Sequence, residues 1–354
     1  MVDWVVDAVK AAGATDVKAI VSSHHAEVAA HLDGQAEVIY QREPEGTGHA
    51  VQQVPPEVLS RGDVLIVNAD SPLLSAESIR KVIDAHRSSG AEATIASVDD
   101  ARRDDGRIVR GPDGGFERIV EKKDATAGDR SGSEINVGLY CFQGKPLVEA
   151  LGKITKDNQA GELYLPDVLK HLRTVNVVRI DDRDEAMGIN DRAGLAQAIA
   201  AMRGRILNGH MAAGVTVTDP ASTFIDAKVR IGQDTVIDQD VHIGSFAELV
   251  RTTVGRGSKV PHVSYLGDTS VGEDANVGAG TITANFNGEV KNKTQIGDGA
   301  FVGVDTMLVA PVKLGKGSRT GAGSVVTKDV PDGATAVGVP ARVVRRKTVS
   351  SDHR

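Results

Sequence analysis

Large rings and cysteines are scarce in this chain. Phe, Trp and Tyr make up 3% of 354 residues, and a single cysteine, Cys141, excludes an internal disulfide. Cys141 lies in the apolar run GLYCF, which reads as buried core rather than as a nucleophile. No apolar stretch approaches the ~18 residues that a membrane helix needs. Asp3 and Asp7 interrupt the N-terminus where a signal peptide would be apolar, so no membrane partner and a cytoplasmic location are expected. Positive charge is not in excess either. The net charge is −7 and no basic stripe with interleaved aromatics occurs, which argues against nucleic acid as a partner.

What the chain does have is 40% hydrophobic residues and 39 glycines, enough for real cores with many tight corners. Its length has room for two ordinary domains. Over residues 1–189 apolar strands alternate with helical patterns. VDWVVDAVKAAGA reads as a helix closed by Gly13, and strands are expected at 16–23, 36–41, 63–70, 92–98 and 174–180. Helices are expected from GHAVQQVP, over 75–86 and through 158–173. Strands alternating with helices predict an open, Rossmann-like α/β sheet with its crevice at the carboxyl ends of the strands, where Asp70 falls. Residues 190–212 read as a linker helix with an Asn/Asp cap.

Beyond that helix a six-residue rhythm begins. Ile225, Ile231, Ile237, Ile243 and Leu249 are followed, after one five-residue step, by Val254, Val260 and Leu266. Val271, Val277 and Thr283 continue it, and Ile296, Val302, Leu308, Leu314, Thr320 and Val326 complete it. A hexapeptide period is the signature of a parallel β-helix with three short faces per coil, here over 213–340 and about five coils. The interruption ANFNGEVKNK (284–293) cannot follow the coil and should protrude as a loop. Residues 341–354 read as a solvated basic tail, or a contact for cofactor phosphates.

The ordered set QREPEGTGHA, NADSPLL, VEKKDAT, EINVG and GIND, followed by a solenoid carrying KVPHVSYLGD, resembles one family across nearly the whole chain. It is the bacterial bifunctional N-acetylglucosamine-1-phosphate uridyltransferase/glucosamine-1-phosphate acetyltransferase. The resemblance implies a left-handed β-helix that acetylates glucosamine-1-phosphate with acetyl-CoA. It further implies an α/β domain that transfers UMP from UTP to N-acetylglucosamine-1-phosphate, for cell-wall synthesis. It also implies a homotrimer with the acetyltransferase site between neighbouring solenoids.

Acyl transfer to an amine needs a base with a pKa near neutrality, and the family's base maps onto His262. Tyr265, Asn276 and Lys291 match its sugar-site residues, and Ala279, Asn285, Phe286, Val304 and Ala322 its acetyl-CoA residues. With one five-residue step per coil the local repeat is 17. Ser245, His262 and Ala279 then stack in one column, and Glu248, Tyr265 and Ile282 in another. Glu248 beside the His262 turn predicts an acid–histidine pair. The family's phosphate-gripping arginine falls in coils missing between Ile237 and Ser245. Its partner lysine aligns with Val250, for which Arg251 is a partial substitute. Each lost cation would weaken binding by about 1.5–3 kcal/mol.

In the first domain the resemblance assigns Gln41, Gly46 and Thr47 to uracil, and Gly106, Glu121 and Asn136 to N-acetylglucosamine. Asp70 and Asn190 are assigned to magnesium, a hard ion suited to oxygen ligands. Capping the linker helix explains Asn190 equally well. The family opens with a strand, the loop LAAGxGTRM and a catalytic lysine, none of which is in this sequence. Weak or no uridyl transfer is therefore expected of the chain as written, along with a gap in the sheet, and residues upstream of Met1 would restore it. Two alternatives stay open: a nucleotidyltransferase with a purely structural solenoid, and a non-catalytic degenerate paralogue. A solenoid metalloenzyme needs three converging histidines. Only His242 and His262 lie in the repeat, out of column.

Overall fold

The structure, a computed structural model, describes residues 1–101, 106–121, 123–126, 128 and 132–344. The chain divides into two compact units, Met1–Ile199 and Ala200–Arg354.

The first unit runs α1 (Val2–Ala11), β1 (Lys18–Ser22), α2 (Ala26–His31), β2 (Glu37–Gln41), α3 (Thr47–Gln52), α4 (Pro56–Leu59) and β3 (Asp63–Val67). It continues α5 (Ala76–Ser89), β4 (Ala93–Asp99), β5 (Arg107–Arg110), β6 (Phe116–Val120), β7 (Glu134–Gln143), α6 (Gly144–Leu151) and β8 (Val175–Arg179). Local chemistry sets several boundaries. Gly13 closes α1 with φ 105°, and Ser75 caps α5 by accepting from the Ser78 amide. The helix expected through 158–173 is only a 3₁₀ segment, Leu165–His171. Before it Asn158 exchanges two hydrogen bonds with the Glu162 backbone and Gly161 turns at φ 65°, so the chain folds back instead of coiling.

The strands form two sheets rather than one. β1 and β2 pair in parallel as a two-stranded sheet, and the other six run β6-β5-β7-β4-β8 with β3 on β7. Among the described residues each of β1 and β3 is therefore hydrogen-bonded on one side alone, where the gap is expected. Burial reflects this. β4 is buried from Ala93 to Val98, whereas Val64, Leu65, Ile66 and Val67 of β3 are only partly buried. Helices span the division. In α1, Val9 packs in a cluster with Leu65 and Val67, while Val6 packs with Val21 of β1. On a separate cluster, Val51 of α3 gathers Ile20 together with Val64 and Ile66. Cys141 is 1% exposed, as expected for core, and burial pushes its thiol up to about 12.

α7 (Arg192–Ala212) follows, and in the second unit its Leu207 joins the apolar core of a parallel β-helix. Three sheets of short strands form its faces. The first runs from Thr216–Val217 to Val312–Leu314, the second from Phe224–Ile225 to Thr335–Gly338, and the third from Arg230–Ile231 to Val325–Val326. The inward register holds, with Ile231 only partly buried. Ile237, Ile243, Leu249, Val254, Val260, Leu266, Val277, Val302, Leu308 and Leu314 are all 0% exposed. Two faces have six strands each, so there are about six coils and not five. The repeat starts one position earlier, at buried Val217, and the second face ends on buried Ala336. Tight turns need left-handed residues, and Asp234, Asp240, Asp268, Asp274 and Asp305 supply them alongside glycines.

The expected basic tail is corrected at its start. Ala341–Val344 is a strand paired antiparallel with Thr335–Gly338, because the alternation ARVV continues the sheet. Residues 345–354 lie outside the described residues. Among the described residues no helix is long and apolar enough to cross a membrane.

The two free edges generate a prediction. In amide hydrogen exchange followed by mass spectrometry, β1 and β3 should exchange through local opening, while β4 exchanges only with global unfolding. Equal protection of β3 and β4 would contradict the divided sheet.

Candidate functional sites

Strands pair in parallel with the equivalent strand one coil on, so register fixes which side chains neighbour each other. On the third face Glu248 pairs with Tyr265 and Tyr265 with Ile282, which is the column the 17-residue spacing predicted. His262 lies at the vertex between the second and third faces. Below it the Gly280 amide donates to Val263, the Asp305 amide to Ala279, and the Gly323 amide to Val304. These bonds stack His262, Ala279, Val304 and Ala322 down a single vertex. Small or branched apolar side chains therefore line the strip beneath the exposed imidazole.

The expected pairing of Glu248 with His262 is not made. Both side chains are exposed, and no hydrogen bond or ion pair joins them. The two residues differ by less than a whole coil, so the register sets Glu248 opposite Tyr265 on the flat of the face while His262 occupies the vertex.

Asn276 points outward on the second face, next to inward Val277, whereas Tyr265 belongs to the third. The interruption at 284–293 leaves the vertex between the third and first faces as a β-hairpin. Asn285 and Asn292 close its root with an amide-to-carbonyl bond of 2.6 Å, and Phe286 bridges Lys291 across it. At the tip the Asn287 side chain accepts from the Glu289 and Val290 amides, an Asx turn carried over Gly288 at φ 100°.

A carboxylate not foreseen from the sequence organises this corner. Asp268 accepts two hydrogen bonds from Arg251, Nε at 2.6 Å and Nη2 at 2.8 Å. It accepts a third from Asn285 Nδ2 at 2.6 Å. The Arg251 guanidinium holds the Asp268 carboxyl below its usual range, with Asn285 and the charge of Lys291 adding to the effect. Arg251 is thus not the free cation expected for a sugar phosphate, though a planar fork with two bonds made still has donors to spare. Beside it, a Cβ on Gly267 would meet Asn285 Nδ2 at 2.5 Å and the Tyr265 hydroxyl at 2.7 Å. Glycine there is what lets the phenol and the amide converge. In sequence this carboxylate sits in a Gly-Asp pair, which signals only a turn.

In the first unit the predicted groups make local contacts around three separate places. Gln41 Nε2 donates to the Gly46 carbonyl and to His49 Nδ1, and Thr47 Oγ1 accepts from the Leu165 amide. Gly46 enters α3 at φ 113° with its Cα against Leu163. Gly106 faces the Glu121 carboxylate and accepts from the Asn136 amide, while Asn136 Nδ2 donates to the Tyr140 hydroxyl at 2.6 Å. Asp70 follows β3. Its carbonyl accepts from the Ile189 amide, which draws Asn190 close, and Gly188 lies against its carboxylate. Among the described residues that carboxylate makes no ion pair and has Ser71 as its one hydrogen-bond donor, at 3.4 Å. The half-buried Asp70 carboxylate offers oxygens of the kind that fit a hard divalent cation with several waters retained, and the exposed Asn190 follows the Ile189 amide bonded to Asp70.

Comparison with known proteins agrees with both halves. Residues 1–175 match the family described as MobA-like NTP transferase domain, and residues 293–328 match bacterial transferase hexapeptide (six repeats). Bifunctional protein GlmU of Geobacillus sp. strain WCH70 is 37% identical over 95% of this chain and 88% of its own length. The protein of the same name from Geobacillus thermodenitrificans is 37% identical over 99% and 91%. That from Rubrobacter xylanophilus is 38% identical over 98% and 88%. The first alignment runs over 406 positions, more than the 354 residues here, so that relative carries residues within the aligned span that this chain lacks.

Gly46 gives a direct test of the first site's construction. Gly46→Ala should lower stability by at least about 1–3 kcal/mol in chemical denaturation, because a Cβ is both strained at this φ and blocked by Leu163.

Proposed function

For a chain that belongs to the bifunctional GlmU family, with a nucleotidyltransferase unit and a left-handed hexapeptide solenoid, we propose a division of labour between the two. The solenoid transfers acetyl from acetyl-CoA to glucosamine-1-phosphate. The first unit transfers UMP from UTP to N-acetylglucosamine-1-phosphate, with Mg²⁺, and only slowly in the chain as written, whose sequence holds no LAAGxGTRM loop. Both reactions serve UDP-N-acetylglucosamine synthesis for the cell wall, in the cytoplasm.

The carrying observation is the vertex column. His262 takes a proton from the attacking amine as its nitrogen adds to the thioester carbonyl. The tetrahedral oxyanion then collapses and expels the CoA thiolate. Among the described residues the backbone N–H of Ala279 donates to no group, and so is available to the oxyanion one coil below the imidazole. The strip Ala279–Val304–Ala322 offers a narrow apolar track for the rest of the thioester substrate. Asn285 and Phe286 flank that substrate from the hairpin, and Lys291 supplies a cation for the sugar phosphate.

The same geometry supports a homotrimer. Tyr265 and Asn276 lie on different faces either side of the His262 vertex, and a vertex of a triangular prism is convex. A ligand touching all three needs a second surface to enclose it. Phe246 at 63% exposed, Val263 at 55% and Val304 at 48% crowd this edge, an apolar patch suited to a neighbouring copy.

In the first unit Gln41, Gly46 and Thr47 receive the uracil, and Gly106, Glu121 and Asn136 the sugar. Asp70 and Asn190 hold the metal ion, which when bound neutralises charge on the phosphates.

Two assays separate the halves. His262→Ala should cut thiol release from acetyl-CoA with glucosamine-1-phosphate by roughly 10²–10⁴-fold. It should leave pyrophosphate release from UTP and N-acetylglucosamine-1-phosphate unchanged. Asp70→Asn should do the reverse. A His262→Ala chain with parental thiol release would remove the acetyl-transfer reading, and pyrophosphate release insensitive to Asp70→Asn would remove the metal assignment.

A further inference from the structure

The geometry points to Asp268 as a positioning residue that ties the sugar-phosphate side of the solenoid site to the hairpin, an inference that rests on the acetyl-transfer reading above. Arg251, Asp268 and Asn285 form one column at the vertex between the third and first faces, each 17 residues from the next. Asp268 touches both arms of the hairpin. Its side chain accepts from Asn285 on the outgoing arm, and its carbonyl accepts from the Thr294 amide where the chain returns. Lys291 and Lys293 lie between these two anchors. Both carboxylate oxygens accept from Arg251 in a two-point fork, and Oδ2 is shared between Arg251 and Asn285.

Two features show that this is more than a routine corner. Among the described non-glycine residues with left-handed backbone, five are aspartates, and only Phe246 and Arg251 are not. Arginine gains nothing from that conformation, so the fork to Asp268 is what makes φ 48° serviceable at Arg251. Asn285, only 7% exposed, lies where a Cβ on Gly267 would reach, together with the Tyr265 hydroxyl. Moving Asp268 therefore moves the guanidinium, the Asn285 amide and the root of the Lys291 hairpin together. Other vertices pair their carboxylates with backbone amides or single surface cations, as Asp298 does with the Glu273 amide and Lys316. No comparable three-way junction occurs at them among the described residues.

The test compares Asp268→Ala, Asp268→Asn and Asn285→Ala in the full chain, with two readouts. Limited trypsin digestion reports on the hairpin through cleavage after Lys291 and Lys293. Thiol-release kinetics report KM for glucosamine-1-phosphate separately from kcat. Asp268→Ala should be cut at the hairpin about tenfold faster and raise KM about tenfold, with a smaller fall in kcat. Asp268→Asn keeps an oxygen for Asn285 but loses the charge, so it should raise KM while hairpin cleavage stays close to parental. Asn285→Ala should speed hairpin cleavage as Asp268→Ala does, and because Asn285 is also assigned to acetyl-CoA its readout is the digestion and not the kinetics. Parental cleavage and parental KM in Asp268→Ala would overturn the proposal. If that variant does not fold, Asp268→Asn decides, a raised KM supporting the tether and a parental KM refuting it. If the parent releases no thiol, the acetyl-transfer reading fails, and the digestion still tells whether Asp268 holds the hairpin.

Discussion

The solenoid depends on one constraint, the stacking of inward aliphatic side chains at a fixed phase from coil to coil. Strands of two residues, such as Ile237 with its neighbour Val236, have no stability alone. They persist because Ile237 pairs in register with Val217 on one side and Val254 on the other, and all three are buried in one core. That phase also decides what the outside looks like. Once Leu266 must point in, Tyr265 points out, Gly267 ends the strand and Asp268 takes the vertex. The reactive surface is a by-product of how the core is indexed.

The first unit obeys a different rule. Its strands are held by pairings between segments far apart in sequence, as where β7 lies between β3 and β4. A missing pairing there leaves edges, whereas a missing coil in the solenoid leaves none. α1 and α3 hold the two sheets in one body through side chains rather than backbone hydrogen bonds. The residues proposed for uracil stand near the end of β2, while Asp70 follows β3, so the proposed site draws on both sheets.

What could be read from the sequence follows the range of the forces involved. The inward column was legible because aliphatic side chains repeat at a short, strict period. Even Thr283 and Thr320 kept register, and their hydroxyls are satisfied internally, Thr283 accepting from the Gly267 amide and Thr320 lying 3.0 Å from Thr306 Oγ1. The columns that hold His262 and Tyr265 were legible for the same reason, from their spacing within the rhythm. The Glu248 assignment failed because a side chain near in sequence to a turn need not share its vertex. Asp268 was hidden because its meaning lies in two residues a coil away on either side. In the first unit, apolar runs announced β3 and β4, but nothing local distinguishes residues 158–164 from a helix until Asn158 and Gly161 are seen to close a turn. The order of strands in the sheets is likewise a non-local fact.

The vertices of the solenoid carry a last consequence. The hairpin at 284–293 leaves and rejoins at one vertex, and the rungs on either side of it remain in register, Ser270 opposite Gln295 and Asn276 opposite Phe301. Residues can thus be added at a corner without turning the prism. Removal from the wall has no such freedom, because losing part of a coil would rotate every later face and carry Asn276 and Tyr265 away from the edge they share. Relatives of this chain are longer within the aligned span, yet Phe224, His242 and Lys259 follow one another in an unbroken ladder. The length of such a wall is quantised in whole turns, and its chemistry keeps the same bearing whatever the number of storeys below.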